Sequence, residues 1–249
     1  MTSRRLILAL PALLAARPGT ATEARRQEQP PALRTPRPVQ LRPGAPAAML
    51  HASVDELGRS LSVRFSGTGA PETVFRFTSW YGYGRVFAVL PLRGRQVVLA
   101  AFEGNTGTGV YQELQAVIGQ EDDGTARILA IETLRARETP MCNEAAYLSV
   151  RIVPDGGGLR LEQEARGVSG TCDPRRPPAR FREIWSTMLR WSGRGVMQAT
   201  PAPRNPGPGQ RKVDLARVKT LEWLAAAPRS DVTVEDLQQL GLMEVVRTA

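Results

Sequence analysis

From about residue 60 to residue 166 the chain repeats one pattern, in which short apolar or alternating runs are each ended by Gly, Asp or Pro. A residue that faces a core at every second position, followed by a turn former, is what consecutive antiparallel strands require. Leu61, Val63 and Phe65 alternate with Ser62 and Arg64, and Phe75 and Phe77 flank Arg76. The continuous apolar runs Val86 to Leu90 and Val97 to Phe102 lie either side of Arg93-Gly94-Arg95, which predicts a hairpin of central strands buried on both faces. Val110, Leu114, Ala116 and Ile118 fall on alternate positions; strand is the reading, with helix as its rival. Gln120 to Gly124 turns the chain into Arg127 to Thr133, and Leu148, Val150 and Ile152, then Leu159 and Leu161, complete the set. The expectation is a mainly β domain with an antiparallel sheet of about eight strands, a barrel or a sandwich.

Pro154-Asp155-Gly156-Gly157-Gly158 is the clearest hairpin turn. Cys142 and Cys172 lie symmetrically about residue 157, so hairpin pairing would bring them together. In an exported chain such a pair is expected to oxidise, and a closed loop of this size contributes on the order of 3–4 kcal/mol. A catalytic thiol is the rival reading. It needs a neighbouring base, and the single histidine, His51, stands before the first of these strands.

After Pro177-Pro178, the residues Phe181, Ile184, Trp185, Met188 and Leu189 recur at helical spacing, which predicts an amphipathic helix closing one side of the sheet. Pro201 to Gly209 reads as a linker. Beyond it Val213–Ala226 and Val234–Leu240 read as two short helices, the second capped by Thr233, that dock on the sheet or bind a partner. About eight strands followed by a helix resembles the layout of lipocalin-like barrels in element order only, with no signature motif to accompany it. That resemblance implies a barrel enclosing an apolar ligand.

The N-terminal residues have the three parts of a secretory signal: Arg4 and Arg5, an apolar run from Leu6 to Ala16, and small residues from Gly19 to Ala24. Ser3-Arg4-Arg5-Leu6-Ile7-Leu8 also resembles the twin-arginine export signal, and both export routes stay open. The apolar run is too short to cross a bilayer as a helix, and no later segment qualifies as a transmembrane anchor. The expected organisation is a signal peptide over 1–24, a disordered Pro- and Arg-rich tether over 25–49, a disulfide-tied β domain over 50–197, a Pro/Gly linker over 198–211 and a helical segment over 212–249. The expected location is periplasmic or extracellular.

The formal charge of +9 is concentrated at the start, where residues 1–49 carry eight Arg against Glu23 and Glu28. Residues 50–197 carry eighteen basic against sixteen acidic groups, so nucleic acid is not an expected partner of the folded body.

One histidine removes most metal and triad templates, and there is no phosphate loop, so no metal or cofactor is expected. Gly104 to Gly109 reads as a long hairpin loop. Carboxylate chemistry needs only two acids across a cleft, and Glu103, Glu113 and Glu132 lie in or at the ends of apolar strands. The run Trp80-Tyr81-Gly82-Tyr83-Gly84-Arg85 combines aromatics with glycine at a strand end, a chemistry suited to sugar rings, lipid head groups or a protein partner. Trp80, Tyr81, Tyr83 and Arg85 are the candidate binding residues. The reading is an exported non-catalytic β domain binding a small apolar or envelope ligand or a protein partner; the alternative is a carboxylate-dependent envelope hydrolase.

Overall fold

The long apolar runs between residues 95 and 138 need cover on both faces, and the fold supplies it. A computed structural model describes residues 31–67, 72–80, 82, 84–139, 145–169, 175 and 177–244. Strands β1 (Arg37–Val39), β2 (Ala48–Val54), β3 (Ser60–Ser66) and β4 (Thr73–Thr78) form an antiparallel meander, extended by β13 (Asp231–Val232), which pairs parallel with β4. The second sheet runs, in chain order, through β5 (Gly84–Leu92), β6 (Arg95–Gly107), β7 (Val110–Gln120), β8 (Ala126–Glu138), β9 (Ala145–Asp155), β10 (Gly158–Ser169), β11 (Ala179–Arg190) and β12 (Gln198–Ala199). Its eight strands are antiparallel neighbours throughout, and its ends, β5 and β12, do not pair, so the sheet is open rather than a closed barrel.

One face of the central strands carries Val98, Ala100, Phe102, Leu114, Ala116 and Ile118, which pack against Leu50, Leu61, Val63, Phe75 and Phe77 of the first sheet. Phe77 and Phe102 stack with ring centroids 4.8 Å apart. On the other face Leu99 and Val117 meet Leu159, Leu161, Leu189 and Trp191. Strands β8 and β9 pair only from Arg135 to Glu138, so β9 to β11 part from the central strands beyond that point and fold over this second face. Two bulges in the β7–β8 ladder, next to Glu113 and Val117, supply the local bend.

Helix α1 (Pro208–Ala226) begins with proline in its first turn, where a missing N–H costs nothing. Helix α2 (Val234–Gln239) begins in a capping box between Thr233 and Asp236, as the threonine led one to expect. It sets Val234 and Leu237 into the first core, with Leu240 and Leu242 following. Among the described residues no helix is long and apolar enough to cross a membrane.

Several readings need correction. Phe181 to Leu189 is strand β11, not a helix: Trp185 and Thr187 pair with Gln163 and Leu161, while Ile184 is turned outward and is 66% exposed. Strand β5 is an edge strand rather than a central one, its edge covered in part by Leu33, whose N–H donates to Val86 O at 2.8 Å. Residues 32–49, which composition reads as a tether, belong to the folded unit; β1 pairs with β2, and Val39 and Leu41 are buried. Gly104 to Gly107 continues β6, so the hairpin loop shrinks to Thr108-Gly109. Cys142 and Cys172 lie outside the described residues; the β9–β10 ladder is described out to Ala145 opposite Val168.

The β9–β10 turn needs two left-handed residues, Gly156 at φ 53° and Gly157 at φ 94°. A Cβ on Gly156 meets nothing within 4 Å, whereas one on Gly157 would sit 3.1 Å from the Arg93 side chain. Gly157→Ala is therefore expected to lower stability by about 1–2 kcal/mol in urea unfolding, and Gly156→Asn by no more than about 0.5 kcal/mol.

Candidate functional site

The corner between β4 and β5 is held by close backbone approach. A Cβ on Gly82, at φ 79°, would come within 2.2 Å of Gly58 O in the β2–β3 turn, and one on Gly84 within 2.5 Å of Leu61 Cβ. Glycine is thus required at both positions for the corner to lie down on the first sheet. Ser79 N–H donates to Arg59 O at 2.8 Å, and Ser79 Oγ accepts from Gly82 N–H at 3.4 Å. Trp80 is left 42% exposed. Tyr81 and Tyr83 lie outside the described residues.

Arg85, at the start of β5, points the other way and is buried. Its Nη1 lies 2.6 Å from Glu113 Oε1, and Arg135 Nε lies 2.7 Å from Glu113 Oε2, so one fully buried carboxylate is clamped by two guanidinium groups. Glu103 stands directly opposite Glu113 in the β6–β7 ladder. It accepts from Ser79 Oγ at 3.4 Å and from Thr106 Oγ1 at 2.7 Å. Burial raises the Tyr111 phenol above its ordinary pKa and Glu113 adds to the effect, while Arg135 opposes it. The cluster therefore joins Ser79, Arg85, Glu103, Thr106, Tyr111, Glu113 and Arg135 beneath the Trp80 corner.

Glu132 belongs to a second cluster. It opposes Gln115 in the β7–β8 ladder and takes Arg217 of α1 by two contacts, Nε to Oε1 at 2.6 Å and Nη2 to Oε2 at 3.1 Å. Asp214 also pairs with Arg217, and Thr187 of β11 lies 3.5 Å from Arg217 Nη1. Burial pushes the Glu132 carboxyl upward against the pull of Arg217. Arg217 loses solvation too, but Glu132 and Asp214 outweigh that and hold it protonated above its ordinary value. The two-pronged geometry favours the ionised pair, whereas Asp214 steadies the Arg217 guanidinium and adds to the upward push on Glu132.

Of the three glutamates singled out in the sequence, Glu103 and Glu113 come together and Glu132 does not join them. His51 lies on β2 opposite Arg64, apart from these clusters. Among the described residues no group of three or more His, Cys, Asp and Glu side chains is placed to hold a metal ion. Arg135, Tyr111 and Arg217 escaped sequence reasoning. The available signal for Arg217 was a charge in the stripe of Val213, Leu221 and Leu224, where a helix facing a core should be apolar. Comparison of the chain with protein-family models, curated proteins and solved structures finds no match.

Two outcomes are expected. Glu132→Ala leaves a buried guanidinium without its main partner and should cost about 3–5 kcal/mol in urea unfolding, most of it recovered in Glu132→Met/Arg217→Met. The Tyr111 phenol, followed by carbon-13 NMR of labelled tyrosine, should titrate above its ordinary value of 10.0 in the folded protein. The unfolded chain then loses this proton first as pH rises past 10.0, so the stability the phenol contributes is complete below that pH and falls above it.

Proposed function

We propose that this chain is an exported, non-catalytic β domain that contacts an envelope partner through its surface, with Trp80 as the aromatic anchor. The observation that carries this reading is the division at the β4–β5 corner. Arg85 is spent inside on Glu113, while Trp80 is held outward on a backbone wedged by Gly82 and Gly84 against the first sheet. An aromatic side chain with only two rotatable bonds loses little conformational freedom when it is covered, which suits it to a contact role. The interior supports a surface rather than a cavity, because Leu99, Val117, Leu159, Leu161, Leu189 and Trp191 fill the space an apolar carrier would keep open. Export rests on the arginine pair and apolar run of residues 4–16.

The hydrolase alternative draws on the opposition of Glu103 and Glu113. It takes second place because acid/base catalysis needs carboxyls that meet substrate, and Glu113 is 0% exposed between two arginines.

The test is tryptophan fluorescence of the mature protein titrated with peptidoglycan fragments and with anionic phospholipid vesicles. A spectral shift on binding is expected in the parent, and binding followed by isothermal titration, which does not depend on the removed ring, should weaken at least tenfold in Trp80→Ala with the melting temperature kept. Equal binding by Trp80→Ala overturns the reading, and turnover of a chromogenic glycoside or ester that Glu103→Gln abolishes would replace it with the hydrolase.

A further inference from the structure

The outer face of the second sheet carries a row of residues that are far apart in the chain and adjacent in space. Tyr111 pairs with Arg137, Arg137 with Tyr147, Tyr147 with Arg166, and Arg166 with Arg182. Directly opposed residues of neighbouring strands share a face, so these five side chains form one line across β7 to β11. With strands about 4.8 Å apart the line is ~19 Å long. Arg137, Arg166 and Arg182 are exposed and the two tyrosines are half-buried. Arg137 and Arg166 both lean on Tyr147, with guanidinium carbons 5.8 and 5.6 Å from its ring centre.

Strand pairing alone gives no reason for this row. Arg166 directly opposite Arg182 is a like-charge pair, which destabilises a sheet. In the neighbouring β9–β10 ladder the chain does the opposite and sets Arg151 against Glu162. Arg182 has Glu164 at 2.9 Å, but among the described residues neither Arg137 nor Arg166 has a carboxylate within ion-pair distance. The row opens at one end into a groove of about 430 Å³ lined by Tyr147, Arg166, Val168, Arg180, Phe181 and Arg182, which adds another exposed arginine.

We propose that this face binds an acidic polysaccharide, a chain of β-linked uronate sugars. Guanidinium groups offer paired N–H donors that match a planar carboxylate, and tyrosine offers a ring edge and a hydroxyl to a sugar ring. A β-linked uronate ribbon presents every second carboxylate on the same side, and Arg137 and Arg166 stand two strand spacings apart, ~10 Å, with Tyr147 between them. A nucleic-acid strand is the rival polyanion for a cationic line, and oligothymidylate in the experiment below decides between the two. Tyr111 also belongs to the cluster beneath the Trp80 corner, but Arg137, Tyr147, Arg166 and Arg182 do not, and the proposal stands or falls independently of the Trp80 reading.

The experiment is isothermal titration of the mature protein with oligomannuronate, with its methyl-esterified form and with oligothymidylate, at low and at physiological salt. Oligomannuronate should bind, more weakly as salt rises, and the esterified form should not. Arg137→Ala/Arg166→Ala should weaken binding at least tenfold at an unchanged melting temperature, while Trp80→Ala and Arg194→Ala, the latter an exposed arginine between β11 and β12 and outside the row, bind as the parent does. The proposal is overturned by absence of uronate binding, by equal binding of the esterified chain, by unchanged binding in the double variant, or by tighter binding of oligothymidylate.

Discussion

Burial of β6, β7 and β8 on both faces is the constraint on which the rest of the structure depends. A sheet strand with two apolar faces must be covered twice, and no single neighbouring layer can do that. The N-terminal meander covers one face with Leu50, Val63, Phe75 and Phe77. The same sheet covers its own other face, because the β8–β9 ladder is short and lets β10 and β11 bring Leu159, Leu161 and Leu189 across. The C-terminal residues close what is left: β13 extends the first sheet, Leu237 enters the first core, and α1 packs Leu224 into one core and Leu221 against the other.

Charges inside such a core are costly unless each has its partner, and here each carboxylate recruits a group from a different strand or helix. Glu113 on β7 holds Arg85 of β5 and Arg135 of β8, while Glu132 on β8 holds Arg217 of α1. A slip of one residue in β8 would send its side chains to the opposite face and break both clusters together. The ion pairs therefore add to the specificity of the register, even where their net stability is small. A sequence motif search treats Glu103, Glu113 and Glu132 as candidate catalysts; their surroundings make Glu113 and Glu132 fasteners.

Period-two alternation made the strands legible, and the turn at Gly156-Gly157 made the β9–β10 hairpin legible, because both signals are local. The failure at β11 has a specific cause. Phe181, Trp185 and Leu189 are four apart, and a spacing of four fits both a helical stripe and the inward side of a strand. Ile184 and Met188 decide between the two only once it is known that they face outward, which requires the pairing with β10. The first strands were missed for a related reason. Val39 and Leu41 are isolated apolar residues among prolines and polar groups, and what orders them is contact with distant residues, such as Gln40 N–H donating to Gln96 Oε1 at 2.7 Å.

The same distinction between local and registered signals governs how far function could be read. The Trp80 corner is contiguous in the chain, so it was visible as a cluster of aromatics and glycines. The arginine and tyrosine row is not contiguous: it is collected from five strands by cross-strand register and leaves no spacing rule behind. Charge averaged over residues 50–197 hides it for the same reason, since Arg137 and Arg166 are offset in the sum by acids that lie elsewhere on the surface or inside the core. A nearly neutral domain can therefore present a strongly cationic line, because the sum over a sequence says nothing of which charges the pleat brings to one face.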